Sequence, residues 1–114
     1  MSKETAIAAS IPISLECHQV CMETLTYCLR KGGEYAQADH VQLLLDCSQI
    51  CLTGVDFMTR NSDVVCKVSE IAAYICERTV VSCERWAKED DMMKRCMEIC
   101  SRCGESCRKI MIAA

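Results

Sequence analysis

Twelve cysteines are spread over 114 residues, and most recur in steps of three, four or seven. The densest run is Cys96, Cys100, Cys103 and Cys107. On a helix advancing ~100° per residue, those four thiols fall within about 60° of arc and line one edge for about 16 Å. Three other stretches repeat the pattern. One carries Cys17, Cys21, Thr24 and Cys28; a second carries His40, Cys47, Cys51, Gly54 and Met58; a third carries Cys66, Ser69, Ala73, Cys76, Val80 and Cys83. A core-facing helix normally places Leu, Ile or Val at such positions. Writing four inner faces in cysteine needs a chemical reason.

Disulfides are a poor one. Side chains at i and i+4 hold their Cβ atoms ~5–6 Å apart, whereas a disulfide needs ~3.5–4.5 Å. The pairs Cys17/Cys21, Cys47/Cys51, Cys96/Cys100 and Cys103/Cys107 therefore do not suit bonding within a helix, although bonds between helices stay open. The opening residues carry Lys3 and Glu4, then a weak apolar run broken by Pro12, so no export signal is expected. The expected compartment is the cytoplasm, where thiols stay reduced. Cysteine as a plain core hydrophobe is also a weak explanation. A thiol supplies less apolar area than Leu or Ile, and burial energy scales with area at ~25 cal/mol/Å².

Metal binding accounts for the pattern better, because metal would restore stability lost from packing. Thiolate is soft and selects Cu(I), zinc or iron–sulfur clusters. The usual iron–sulfur loop spacings are absent. The lone C-x₂-C at Cys100 and Cys103 lies mid-helix, which also weakens a thioredoxin-like redox reading. Zinc favours closed tetrahedra, usually on short loops. Thiols strung along straight helices form a tube, which suits Cu(I) with two or three thiolates per ion. Two terminal thiolates per ion would hold about six Cu(I), and full bridging about twelve. Storage rather than catalysis is the expected function. A redox or iron–sulfur carrier, or a structural zinc protein, is the alternative.

Histidine and methionine extend the ligand set. His40 lies one heptad before Cys47 on the thiol face and is a candidate ligand; His18 is expected at the rim. Met92 and Met93 are expected near the His40 end, with Cys28, Cys47, Cys83 and Cys96 just inside. Met58 and Met111, with Cys17 and Cys66, are expected at the opposite end. A thioether there can bind Cu(I) or simply fill space. The His40 end is the expected point of copper entry.

The elements that must position these residues are helices. One proline, four glycines and no hairpin turn signals predict an all-α chain. Apolar residues make up 51 % and charged residues 25 %, with net charge −3. That composition is globular and not nucleic-acid-binding. No run is expected to span a membrane. Helices are predicted at about 13–31, 38–60, 63–87 and 91–112, after an arm or short helix over 1–12. Gly32-Gly33, Asn61 and Lys88–Asp91 punctuate them. Short connections predict an antiparallel up-down-up-down four-helix bundle with a cysteine-lined core. Val64, Val68, Ile71 and Ile75 form a second apolar stripe away from the thiols, as do Leu15, Met22 and Leu29. The expected cover is a subunit interface or the N-terminal arm.

The run Leu43-Leu44-Leu45-Asp46-Cys47-Ser48-Gln49-Ile50-Cys51, followed by Asp56-Phe57-Met58-Thr59-Arg60, resembles the second helix of bacterial copper storage proteins. Cys96-x₃-Cys100-x₂-Cys103-x₃-Cys107 resembles their last helix, and Cys17-x₃-Cys21 their first. The resemblance covers about residues 13–111. It implies a cysteine-rich four-helix bundle of the cytosolic kind, Cu(I) held inside by thiolates, entry from one open end, and a homo-oligomer, commonly a tetramer. Ser69, Ala73 and Val80 stand where relatives often carry cysteine, which implies a lower capacity. Met92 and Met93 stand where relatives often carry histidine.

Overall fold

Ser2 starts the first helix by accepting a hydrogen bond from the Thr5 amide at 3.1 Å. The computed structural model describes residues 1–113. Helix α1 spans Lys3–Lys31, α2 Ala38–Thr59, α3 Val65–Glu84 and α4 Asp91–Ala113. A single 3-10 turn, Gly33–Ala36, lies between α1 and α2. Gly32 ends α1 at φ +75° and donates its amide to the Cys28 carbonyl. Asn61, at φ +51°, ends α2 in the left-handed region that asparagine tolerates. Asp90 caps α4, its Oδ1 accepting the amides of Met92 at 3.1 Å and Met93 at 3.3 Å.

The residues expected to form an arm over 1–12 are the first turns of α1. Proline inside a helix removes one hydrogen bond and can kink the axis. Here both Pro12 and Ala8, whose carbonyl loses its partner, are exposed, so water can satisfy it. The inward edge instead continues upstream as Ala6, Ile7, Ser10 and Ser14, all buried.

Each helix packs against its sequence neighbours, and α1 closes the ring against α4; the backbones of the diagonal pairs α1/α3 and α2/α4 stay apart, and α2 and α4 meet through inward thiols. This is an up-down-up-down square, 43 × 21 × 18 Å. Gly104 faces α3, and a Cβ there would fit in ordinary van der Waals contact. A Cβ there would lie 3.5 Å from the Cys76 Cβ and 3.8 Å from the Ala73 carbonyl oxygen. The helix walls leave an axial column filled by side chains, and most of those are thiols.

Three expectations change at this level. On α3 the inward position is Thr79, fully buried, while Val80 is only partly buried. The N-terminal turns do not cover the α3 stripe, because α1 and α3 lie on a diagonal; Val64 and Ile71 are exposed, while Val68 and Ile75 are half-buried. Finally, among the described residues, α2 is the one helix long and apolar enough to cross a membrane. In the bundle 39% of that stretch is buried, with Leu44, Cys47 and Cys51 turned inward and Leu45 and Leu52 exposed.

Candidate metal centre

Eleven of the twelve cysteines are buried; Cys66 is half-buried, and all twelve are free thiols. The closest sulfur contacts run between helices. Cys17 Sγ lies 3.9 Å from Cys47 Sγ and 3.8 Å from Cys100 Sγ. Cys21 Sγ lies 3.7 Å from Cys100 Sγ. Cys47 Sγ approaches Cys76 Sγ at 3.8 Å and Cys100 Sγ at 3.9 Å, and Cys51 Sγ approaches Cys103 Sγ at 3.7 Å. Two groups of four result, Cys17/Cys21/Cys47/Cys100 and Cys17/Cys51/Cys76/Cys103. Within each, every sulfur is within 4.8 Å of the others. Cys17 belongs to both.

Cys17 was expected at the end opposite His40, yet it sits in the middle of the column. The cause is the length of α1: ten residues precede position 13, and Lys3–Ser10 occupy the end instead.

The thiols share protons through these contacts. Cys51, Cys76, Cys100 and Cys107 are pushed up, first by hydrogen bonds to neighbouring thiols and then by burial. Cys47, Cys96 and Cys103 are pushed down by neighbours that donate to them. Cys83 is raised by its contact with Cys96 and by burial. A proton lost from one sulfur is thus partly compensated by the next, which suits a column that exchanges protons for soft cations.

His40 is fully buried. Its Nε2 lies 3.5 Å from Cys28 Sγ, and its Nδ1 lies 2.7 Å from Ser82 Oγ. Arg85 donates to the same hydroxyl at 3.0 Å and to the Ser82 carbonyl at 3.0 Å. The hydroxyl has lone pairs for both Arg85 and an Nδ1–H. That tautomer leaves the Nε2 lone pair facing Cys28, the arrangement used by metal-binding imidazoles. Burial, then the Arg85 charge, lowers the His40 pKa and keeps the ring neutral. Met93 Sδ lies 3.7 Å from Cys28 Sγ. Cys28 is pushed up to about 11, mainly by burial. Cys28, His40 and Met93 therefore form a thiol–imidazole–thioether group at one end.

The other expected ligands divide. Met58 is buried at the far end. Met92 is half-buried and joins the start of α4 only through its amide to Asp90. Met111 does not close the tube: Ile110 turns inward instead, and Met111 lines an outer depression with Lys67, Ile71 and Tyr74. His18 holds Ser48 at 2.8 Å, away from the thiols, as a rim residue would.

One group escapes the sequence reading. Tyr27 and Tyr35 both donate to Asp90 Oδ2, at 2.7 and 2.9 Å. Tyr35 stacks on Trp86 at 4.4 Å, and Trp86 meets His40 edge-on at 4.8 Å. Arg85 lies 4.2 Å over the Trp86 ring. Rings and one carboxylate thus cover His40. The only available signal was Asp90 as a helix cap; its tyrosine partners come from α1 and the following turn.

Geometry and chemistry together define a four-helix bundle built to hold soft metal ions along its axis. The chain belongs to the copper storage protein family, whose model matches residues 3–112. No curated protein sequence matches it. Among solved structures, a protein from Nitrosospira multiformis is 32% identical, covering 96% of this chain and 98% of that one, with a TM-score of 0.87. A cytosolic copper storage protein from Streptomyces lividans, described with five coppers, has a TM-score of 0.91 at 22% identity, over 98% and 97% of the two chains. The Cu(I)-bound copper storage protein BsCsp3 has a TM-score of 0.85 at 24% identity, over 93% and 98%.

Proposed function

We propose that this chain is a cytosolic store for several Cu(I) ions, held by thiolates along the bundle axis. The two four-thiol groups joined through Cys17 carry the reading. Each ion that binds forms S–Cu bonds and releases the thiol protons to solvent; no electron moves. Cys17, Cys21, Cys47, Cys51, Cys76, Cys100 and Cys103 form the centre. Cys83 and Cys96 connect it to the Cys28–His40–Met93 end, where copper enters beneath the aromatic cover. Cys107 and the half-buried Cys66 lie beyond the centre, with Met58 packed near them as filler. Buried ligands with no site open to a second substrate suit sequestration rather than catalysis.

Zinc is the second reading, because sulfur spacings of 3.7–3.9 Å also match the edge of a zinc–thiolate tetrahedron, ~3.8 Å for Zn–S bonds of ~2.3 Å. Cys17, common to both groups, favours one thiolate bridging two Cu(I) ions over two separate closed cages. Titrating the reduced protein with Cu(I) against a competing chelator, alongside zinc, decides between them. Several tightly held Cu(I) equivalents are expected. One or two, or tighter zinc, would sink the storage reading. The exposed Ile71 and Val64 face supports a homo-oligomer, a tetramer by likeness to the family; light scattering of Ile71→Lys should show smaller species than the native chain, and a monomeric native chain would refute it.

A further inference from the structure

The thiol edge of α1 does not stop at Cys17. It continues as Ser14 and Ser10, in steps of three and four. On α3 the edge through Cys76 reaches Ser69, seven residues earlier and three after Cys66. Ser10 and Ser69 are buried, at 0% and 1% exposure. Neither hydroxyl has a hydrogen-bond partner.

Five other buried hydroxyls are engaged. Thr24 and Thr79 donate to carbonyls one turn back, at 2.7 and 2.8 Å. Ser48 is bound to His18 and Ser82 to His40. Ser14 lies 3.7 Å from Cys103 Sγ. Two buried, unpartnered hydroxyls side by side with thiols are costly, since each forfeits its bonds to water.

The loaded core has the matching need. A sulfur bound to Cu(I) keeps lone pairs and partial negative charge, and the interior is poor at solvating it. The buried polar side chains are serines, threonines and His40; no Lys or Arg is among them. Hydroxyls are the donors within reach. Ser14 already faces Cys103, and one turn further out on the same two antiparallel helices the next buried inward residues are Ser10 and Cys107.

We propose that Ser10 and Ser69 are positioning residues for the stored metal: donors left unpartnered in the metal-free chain, which hydrogen-bond metal-bound sulfur at the end of the column around Cys107. The inference rests on the storage reading. The hydroxyls make the metal-free end of the column less stable and the loaded end more stable, and thereby tighten copper binding.

The test compares Ser10→Ala, Ser69→Ala and the double variant with the native chain, each metal-free and loaded with Cu(I). Thermal melting and chelator competition are both read. Removing an unpartnered hydroxyl should leave the metal-free melting temperature unchanged or higher. Removing a donor to bound sulfur should weaken the affected site about three- to tenfold per hydroxyl. In a Cys107→Ser background the affinity effect of Ser10→Ala should shrink, as coupled residues require. A lower metal-free melting temperature would overturn the proposal, because the hydroxyls would then already be satisfied, by buried water for example. Unchanged copper retention in both variants would also overturn it. A native chain that takes up no copper would instead sink the storage reading, a result distinct from these.

Discussion

The two ends of the column are closed by different means. At the His40 end the cover is a network of contacts: two tyrosine hydroxyls on Asp90, Tyr35 stacked on Trp86, and Trp86 edge-on to His40. Tyr35 rides on a four-residue turn that follows two glycines of positive φ. At the other end the closure is continuous helix and aliphatic packing, with Ala6, Ile7, Met58, Val65 and Ile110 buried together. Burying one large aliphatic side chain contributes roughly 1.5–3 kcal/mol, so opening that floor would cost several such terms at once. Moving Tyr35 breaks one hydrogen bond, the Trp86 stack, the edge contact with Tyr27 and the Lys31 cation–π contact, at about 2–5 kcal/mol in all. The His40 end is thus closed by contacts that cost less to break, which supports the proposed entry there; the other end is called the floor.

The largest effect should come from neither end. Cys17→Ser with Cys100→Ser removes the shared vertex and its nearest partner, and Cu(I) capacity should fall by about a third to a half. Helicity by circular dichroism should stay near native, since no disulfide holds the fold. A capacity loss no greater than that of Cys28→Ser alone would show that the centre is not where most copper resides.

The comparison of ends is sharpened by rates. His40→Leu with Met93→Leu should slow Cu(I) uptake about tenfold while leaving final capacity nearly unchanged, because both groups bind Cu(I) without losing a proton and pass it to thiolates. Met58→Leu, at the floor, should load at the native rate. Stopped-flow uptake in which Met58→Leu is the slower variant would reverse the assignment of entry and floor.

The smallest effect is the pH dependence of the metal-free chain. The folded Cys28 thiol titrates at about 11, against 9.0 for the ordinary group. A raised pKa contributes stability that is complete below 9.0 and is lost as pH climbs toward 11. His40 is lowered, so its contribution is complete above 6.5 and fades as pH falls below that value. The melting temperature should therefore form a plateau between those limits. Cys28→Ser should flatten the alkaline side more than the acid side; equal alkaline slopes in both proteins would contradict the burial argument.

Much of this was legible in the sequence, because steps of three and four fix one face of a helix and twelve thiols mark it plainly. Most of each buried face and His40 beside the thiols followed from that rule, and the caps at Gly32 and Asn61 from the tolerance of glycine and asparagine for positive φ. What escaped has physical causes. Residues 1–12 read as an arm or short helix because the rule cannot tell whether the carbonyl orphaned by Pro12 meets water or core. Met111 and Ile110 are neighbours on the edge of one face, and the choice between them depends on how α4 is rotated at its end. Val80 and Thr79 pose the same problem on α3. The aromatic cover draws on α1, the turn after it and the approach to α4, so no local periodicity announces it.

On the proposed route, with one entrance at the His40 end, a single file would have a memory: ions near Cys107 would leave only past those held closer to Cys28. The last copper to arrive should be the first to go. A partly drawn-down population then keeps its oldest ions, and the age of stored metal becomes a function of depth. Loading one copper isotope before another and drawing the protein down with chelator would read that stratification directly.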